Sequence, residues 1–300
     1  MTSINGIELR NPAILAAGIM GTTGASLVRM ATDGAGAVVT KSIGPEPKDG
    51  HSNPSMINLG YGFLNAMGLP NPSYPHFREE LSIAKKGAGV PVIASIFGGT
   101  DEEFVEVALG LIGSKPDAFE LNVSCPHARG YGASVGSNPE AVETITSAVC
   151  DAVDIPVWVK LTPNVTDIVS IGEAAQNGGA DAIVAINTVK GMAIDIHSGY
   201  PILGNRFGGL SGPALKPIAL KCVYDLYTAL DIPIIGVGGI STWEDAIEMM
   251  MAGSTAIQIG SAVYEGTEVF SSVTRGMQQF IAERDYKDIS DIVGIAHEMI

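Results

Sequence analysis

Eight short, almost wholly apolar runs recur along this 300-residue chain, and they restrict its fold more than any other feature. They are AILAAG (13–18), AVVTKS (37–42), PVIASIF (91–97), AFELNVS (118–124), PVWVKLT (156–162), AIVAINT (182–188), IPIIGVGG (232–239) and AIQIGSAV (256–263). A strand covered on both faces reads as a continuous apolar run rather than an alternating one. Helical patterns fit between most of them. Residues 138–153 open on Asn-Pro-Glu, and residues 241–253 open on Ser-Thr and stop at glycine, as cap preferences require. Residues 164–179 end on paired glycines, and residues 211–230 carry two early prolines, so their regular part is expected to begin after Pro213 or Pro217. NGGADAIVAINT and MAGSTAIQIG repeat one unit: helix end, Gly-Ala or Gly-Ser, buried strand.

Eight β/α units in about 250 residues predict an α/β fold, a (β/α)8 TIM barrel. An open doubly wound sheet is the competing architecture. It normally carries a GxGxxG turn after its first strand and an acidic residue about 20 positions later, and neither is found here. No linker or low-complexity stretch interrupts residues 1–300, so one domain is expected.

Two connections are long for βα loops. One runs from Ile43 to about Tyr74, the other from Lys190 to Leu210. Both leave C-terminal strand ends, the barrel face that carries active sites, so both are expected to cover a site. The INGIEL segment (4–9) is expected to form a hairpin plugging the opposite face, and the tail after Asp288 reads as an extra helix.

Composition narrows the function classes. Lys and Arg number 17 against 32 Asp and Glu, a formal charge of −15. So acidic a chain is a poor nucleic-acid binder, because phosphate backbones need clustered cations. Three cysteines, Cys125, Cys150 and Cys222, form no CxxC pair. This argues against a disulfide framework or a cluster site and suits a reducing cytoplasm. The N-terminus lacks a signal pattern, and no apolar run approaches the roughly 18 residues of a membrane span.

A barrel makes polar groups at C-terminal strand ends converge. Here those ends supply Lys41, Ser42, Ser95, Asn122, Lys160, Thr162, Asn187 and Thr188. Lys41 and Lys160 interrupt apolar strands, where an unpaired cation is costly. Either each turns to solvent or a carboxylate, or both reach a ligand; two at one barrel face favour the ligand. GVGGIS and IGSA provide glycine-rich turns after strands 7 and 8, where barrels commonly bind phosphate through backbone N–H groups. Cys150 and Cys222 fall inside helical patterns and read as packing residues. Cys125 differs: it follows a strand end and opens a glycine-rich loop, with His127 beside it. The five histidines form no HExxH or similar pattern, so no metal is expected.

These residues sit in motifs that resemble the class 1 dihydroorotate dehydrogenases. LNVSCP, LNAMGLPNP, VKLTPN, INTVKGM, GGLSGPALKPIAL, GVGGI and IQIGSA match in order from about Ile4 to Val263. The segments 207–240 and 186–196 look most like class 1B catalytic subunits. The loop after Cys125 lacks the proline-glycine-lysine-proline pattern of class 1A. The resemblance implies FMN at the top of the barrel and oxidation of dihydroorotate to orotate in pyrimidine biosynthesis. It implies Cys125 as the base that removes the C5 proton while hydride passes from C6 to flavin N5. It assigns substrate contacts to Lys41, to Asn65, Ala66, Met67, Gly68 and Leu69, and to Asn122, Asn187 and Thr188. It assigns the cofactor to Ala17, Lys41, Ser42, Asn122, Lys160, Ile186, Gly212, Gly238, Gly239, Gly260 and Ser261, the last four around the phosphate.

Two positions depart from the family pattern. His127 stands where the motif usually has a pyrimidine-contacting asparagine. Ser95 stands where class 1B often has an FMN-contacting asparagine, and it is left out of the site. The resemblance further implies a homodimer and a separate electron-transfer subunit carrying FAD and a [2Fe–2S] cluster that reduces NAD. A flavin barrel acting on another dihydropyrimidine is the alternative that His127 keeps open, and a non-catalytic phosphate-ligand-binding barrel is the more distant one.

Overall fold

A computed structural model of the chain describes residues 2–124 and 135–298; Cys125 and His127 lie outside the described residues. Eight parallel strands close into a barrel. They are β1 (Ala13–Leu15), β2 (Ala37–Val39), β3 (Val92–Ile96), β4 (Ala118–Asn122), β5 (Val157–Leu161), β6 (Ala182–Ala185), β7 (Ile234–Val237) and β8 (Ala256–Ile259). Each pairs with its neighbours in chain order, and β8 closes on β1 through Ile257↔Ala13 and Gln258↔Ile14. The helices that follow are α1 (Gly24–Thr32), α2 (Tyr74–Gly87), α3 (Asp101–Ile112), α4 (Pro139–Ala152), α5 (Ile168–Asn177), α6 (Lys216–Ala229), α7 (Trp243–Met251) and α8 (Val269–Glu283).

The continuous apolar runs are explained by burial on both faces. Along β4, Phe119 and Leu121 join the core beneath the helices, whereas Ala118 joins a second cluster inside the barrel. Along β5, Val157, Val159 and Leu161 face the helices and Trp158 faces inward. This two-residue alternation is the strand period, and it points Glu120, Asn122 and Lys160 inward. The strands are shorter than their apolar runs, because the chain leaves the ladder at its C-terminal end. Lys41, Ser42, Asn187 and Thr188 therefore lie just beyond strand ends.

Helix starts follow their caps. Asn138 accepts from the Ala141 N–H at the head of α4, and Thr242 forms a capping box with Asp245 at the head of α7. α5 starts only at Ile168, because Asp167 accepts from the Val169 and Ser170 N–H groups and fixes the N-cap there. α6 starts at Lys216, between the two sites expected from the sequence, with a 3-10 turn over Pro213–Leu215 before it.

The strand Thr2–Ile4 pairs antiparallel with Ile7–Leu9 around Asn5 and Gly6, a turn dipeptide suited to a tight hairpin. Ile4 and Leu9 are buried against Ile14, Ala118 and Trp158 inside the barrel, so the hairpin closes that end of its core. The two long loops pair with each other. Met56–Asn58, Phe63–Asn65, Gly208–Ser211 and Val189–Gly191 form an antiparallel four-stranded sheet. The tail corrects the sequence reading: Ile289–Ile292 and Ile295–His297 are separate 3-10 turns, not a regular helix. Gly294 between them takes a left-handed φ of 75°, and a Cβ there would lie 2.4 Å from the Tyr227 ring.

Candidate active site

Between the barrel's C-terminal strand ends and the four-stranded sheet lies a cavity of about 680 Å³, within the range of cofactor sites. Every described residue that the sequence singled out for substrate or cofactor lines it. Ala17, Lys41 and Ser42 come from the ends of β1 and β2, and Asn65, Ala66, Met67, Gly68 and Leu69 from the first long loop. Asn122, Lys160, Ile186, Asn187 and Thr188 come from β4 to β6 and their exits. Gly212, Gly238, Gly239, Gly260 and Ser261 complete the other side. Cys125 and His127 belong to the segment outside the described residues.

The two lysines differ in setting. Lys160 is 5 % exposed and donates to Gln258 Oε1 at 2.8 Å, with Glu120 Oε1 3.5 Å from its ammonium group. Lys41 pairs with no carboxylate among the described residues, and burial pushes its pKa below the usual lysine value. A desolvated cation without a counter-charge is a group waiting for an anion or a polar ligand.

A polar network holds the asparagines. Asn122 donates through Nδ2 to Ser42 Oγ at 3.0 Å, and Asn187 Nδ2 donates to Asn122 Oδ1 at 3.4 Å. Ser42 Oγ lies 2.9 Å from Ser95 Oγ, and the Ser95 N–H donates to Thr40 Oγ1. Ser95 is fully buried and does not line the cavity; it supports Ser42 from behind. Asn164 donates to the Thr188 carbonyl at 2.9 Å and accepts from the Lys190 N–H, fixing the exit of β6.

The glycine turn after β7 is built for close approach. Gly239 has a φ of 73°, and a Cβ there would lie 2.7 Å from Lys216 backbone nitrogen. The turn is braced by Lys216, whose ammonium contacts Asp245 at 2.7 Å and Glu248 at 2.9 Å. Cys150 and Cys222 are half-buried on helices, and burial pushes both thiols up to about 11, as inert packing residues.

Sequence reasoning missed Glu120 and Gln258. Glu120 is fully buried and accepts from Gln258 Nε2 through Oε2 at 2.6 Å; Gln258 lines the cavity. Their signal was available: each is a polar residue at an inward position of an apolar strand, like Lys160.

The family model for dihydroorotate dehydrogenase matches residues 1–281. The chain belongs to the dihydroorotate dehydrogenase family. The catalytic subunit of dihydroorotate dehydrogenase B (NAD(+)) from Methanosarcina acetivorans is 68% identical over 100% of this chain and 97% of its own length. The subunit of the same name from Methanocella arvoryzae is 65% identical over 98% of this chain and 97% of its own. The one from Pyrococcus abyssi is 53% identical, covering 97% of each. Within the dihydroorotate dehydrogenase family this places the chain beside the B-type catalytic subunits. Among the described residues no helix is long and apolar enough to cross a membrane.

Proposed function

We propose that this chain is the FMN-dependent catalytic subunit of a B-type dihydroorotate dehydrogenase, which oxidises dihydroorotate to orotate in pyrimidine biosynthesis. One observation carries the reading: two lysines, three asparagines and two glycine turns, drawn from most of the barrel strands, converge on one cavity. The donor chemistry fits FMN. The Gly238–Gly239 and Gly260–Ser261 turns offer backbone to a phosphate. The buried Lys160 ammonium offers a cation to the pyrimidine side of an isoalloxazine. When bound, FMN supplies the two-electron acceptor for the C6 hydride.

The chain's own residues bind, orient and move a proton. Asn65 and the backbone of Ala66 to Leu69 receive the carboxylate and ring from one side. Asn122, Asn187 and Thr188 hold the pyrimidine amides, with Asn122 and Asn187 oriented by the network they share. Lys41, short of a counter-charge, is placed to meet cofactor and anionic substrate together. Cys125 is the base that takes the C5 proton, and His127 takes the substrate contact usually made by asparagine. The four-stranded sheet shields this chemistry from water. A homodimer, a separate FAD and [2Fe–2S] subunit passing electrons to NAD, and a cytoplasmic location complete the reading; the catalytic-subunit names of the relatives support the separate subunit.

The test is spectroscopic. Purified protein should be yellow, and anaerobic dihydroorotate should bleach it. A colourless protein that FMN cannot reconstitute overturns the reading, and faster bleaching by dihydrouracil transfers it to another dihydropyrimidine. Repeating the assay with fumarate, NAD⁺ and a quinone identifies the acceptor.

A further inference from the structure

Beneath the cavity floor lies a chain of three polar side chains. Lys160 on β5 donates to Gln258 Oε1 at 2.8 Å, and Gln258 Nε2 on β8 donates to Glu120 Oε2 on β4 at 2.6 Å. The second carboxylate oxygen, Oε1, accepts no hydrogen bond among the described residues and lies 3.5 Å from the Lys160 ammonium. Glu120 and Gln258 are fully buried. Lys160 and Gln258 line the cavity and Glu120 does not. The barrel interior around them is apolar, with Trp158, Val184 and Ile235 in the cluster below.

Burying a carboxylate inside a barrel is expensive, and apolar residues of similar volume commonly replace such pairs without loss of stability. Fold stability therefore gives no reason for Glu120. Its effect on the cavity does. An ammonium group alone at the floor would present a full positive charge to whatever binds above it, in a medium that screens charges weakly. Glu120 places one negative charge directly behind that cation. The Gln258 amide, with its oxygen toward the lysine and its N–H toward the carboxylate, keeps the order of charges fixed.

Resting on the FMN reading above, we infer that Glu120 is a positioning residue that sets the redox potential of the bound flavin by tempering the field of Lys160. The reduced flavin carries more negative charge than the oxidised one, so an untempered cation favours the reduced form. Glu120 weakens that preference and keeps the flavin able to pass electrons to an acceptor of low potential. It does so without touching cofactor or substrate.

The test is a reductive titration of the flavin-loaded protein against reference dyes, which reads the ratio of affinities for reduced and oxidised FMN. Glu120→Gln, nearly isosteric, should raise that ratio at least tenfold, about 30 mV in a two-electron couple. Lys160→Gln removes the cation itself and should lower the ratio by a similar factor. Glu120→Asp, which keeps the charge, should stay near the wild-type value. Opposite displacements by the first two variants are what a purely structural role cannot produce. A ratio unchanged or lowered in Glu120→Gln overturns the inference. If Glu120→Gln does not fold, Glu120→Met, which also removes the charge, decides in its place, and an unchanged or lowered ratio overturns the inference. A wild-type protein that holds no flavin overturns the functional reading together with the inference, whereas unshifted variants of a yellow protein overturn the inference alone.

Discussion

Asn122 and Lys160 stand opposite each other in the register of β4 and β5, and both side chains face the cavity. Two residues lower, at the next inward-facing position, the same register pairs Glu120 with Trp158. The barrel is therefore polar at its open end and for one inward-facing position beneath it, and apolar from there to the hairpin that closes it. That gradient locates the chemistry and yields several predictions.

Cys125 is assigned the proton at C5. Cys125→Ser should slow flavin reduction by dihydroorotate roughly 10²–10⁴-fold, the usual contribution of a general base, with FMN still bound. Stopped-flow bleaching measures it, and near-normal rates in that variant remove the assignment.

Lys41 has a pKa depressed by burial and no carboxylate partner among the described residues. A depressed lysine binds its proton less tightly in the folded than in the unfolded state, so its contribution makes stability rise with pH between the depressed value and the ordinary one. Burying the Lys41 ammonium group is a cost kept for function. Lys41→Met should therefore stabilise the flavin-free protein by roughly 0.5–2 kcal/mol, while dihydroorotate no longer bleaches the loaded variant. A lower melting temperature in thermal denaturation at pH 7 contradicts the first half.

Lys216 braces the glycine turn after β7. Its pKa is raised, chiefly by the hydrogen bond to Asp245 and then by Glu248. Burial pushes the Asp245 carboxyl up, but hydrogen bonds from Lys216 and from the Ser241 and Thr242 N–H groups hold it below its usual value. The Asp245 contribution is present above the ordinary carboxylate pKa and is lost as pH falls through the depressed one; that of Lys216 is lost as pH rises through its raised value. Lys216→Met should cost roughly 1 kcal/mol at neutral pH and flatten the loss of stability at the acid end. It should also weaken FMN retention. Urea denaturation at pH 3, 5 and 7 measures the first, and flavin release on dilution the second.

Ile4 is buried inside the barrel from the N-terminal hairpin, far in sequence from the cavity residues. Ile4→Ala should destabilise by about 2–5 kcal/mol, the range for truncating a buried isoleucine. The rate of flavin reduction should be unchanged below the melting transition. A selective loss of rate without loss of stability would show that the plug communicates with the site.

Much of this was legible beforehand. The alternation of doubly buried strands with capped helices announced the barrel, and the barrel rule turned scattered polar residues at strand ends into one site. The glycine turns after the last two strands were readable because only their place in the eightfold order gives them meaning. Glu120 and Gln258 escaped because a single polar letter in an apolar strand does not disclose its partner, and theirs are 138 positions apart. Ser95 was left out because it departs from the family pattern, and its place behind Ser42 was invisible in the sequence.

The sequence by itself determined the local structure: which segments are barrel strands, where Asn138 and Thr242 start helices, and which residue types stand at the strand ends. These are decided by side-chain period and by hydrogen bonds spanning a few residues. Only the tertiary structure decided that the two long loops pair into one sheet over the cavity, that Lys160 is countered by Glu120 through Gln258, and that Lys41 is left without a carboxylate. Those outcomes depend on which strands closure of the barrel makes neighbours, and a charge is paired or orphaned only once its neighbours are fixed.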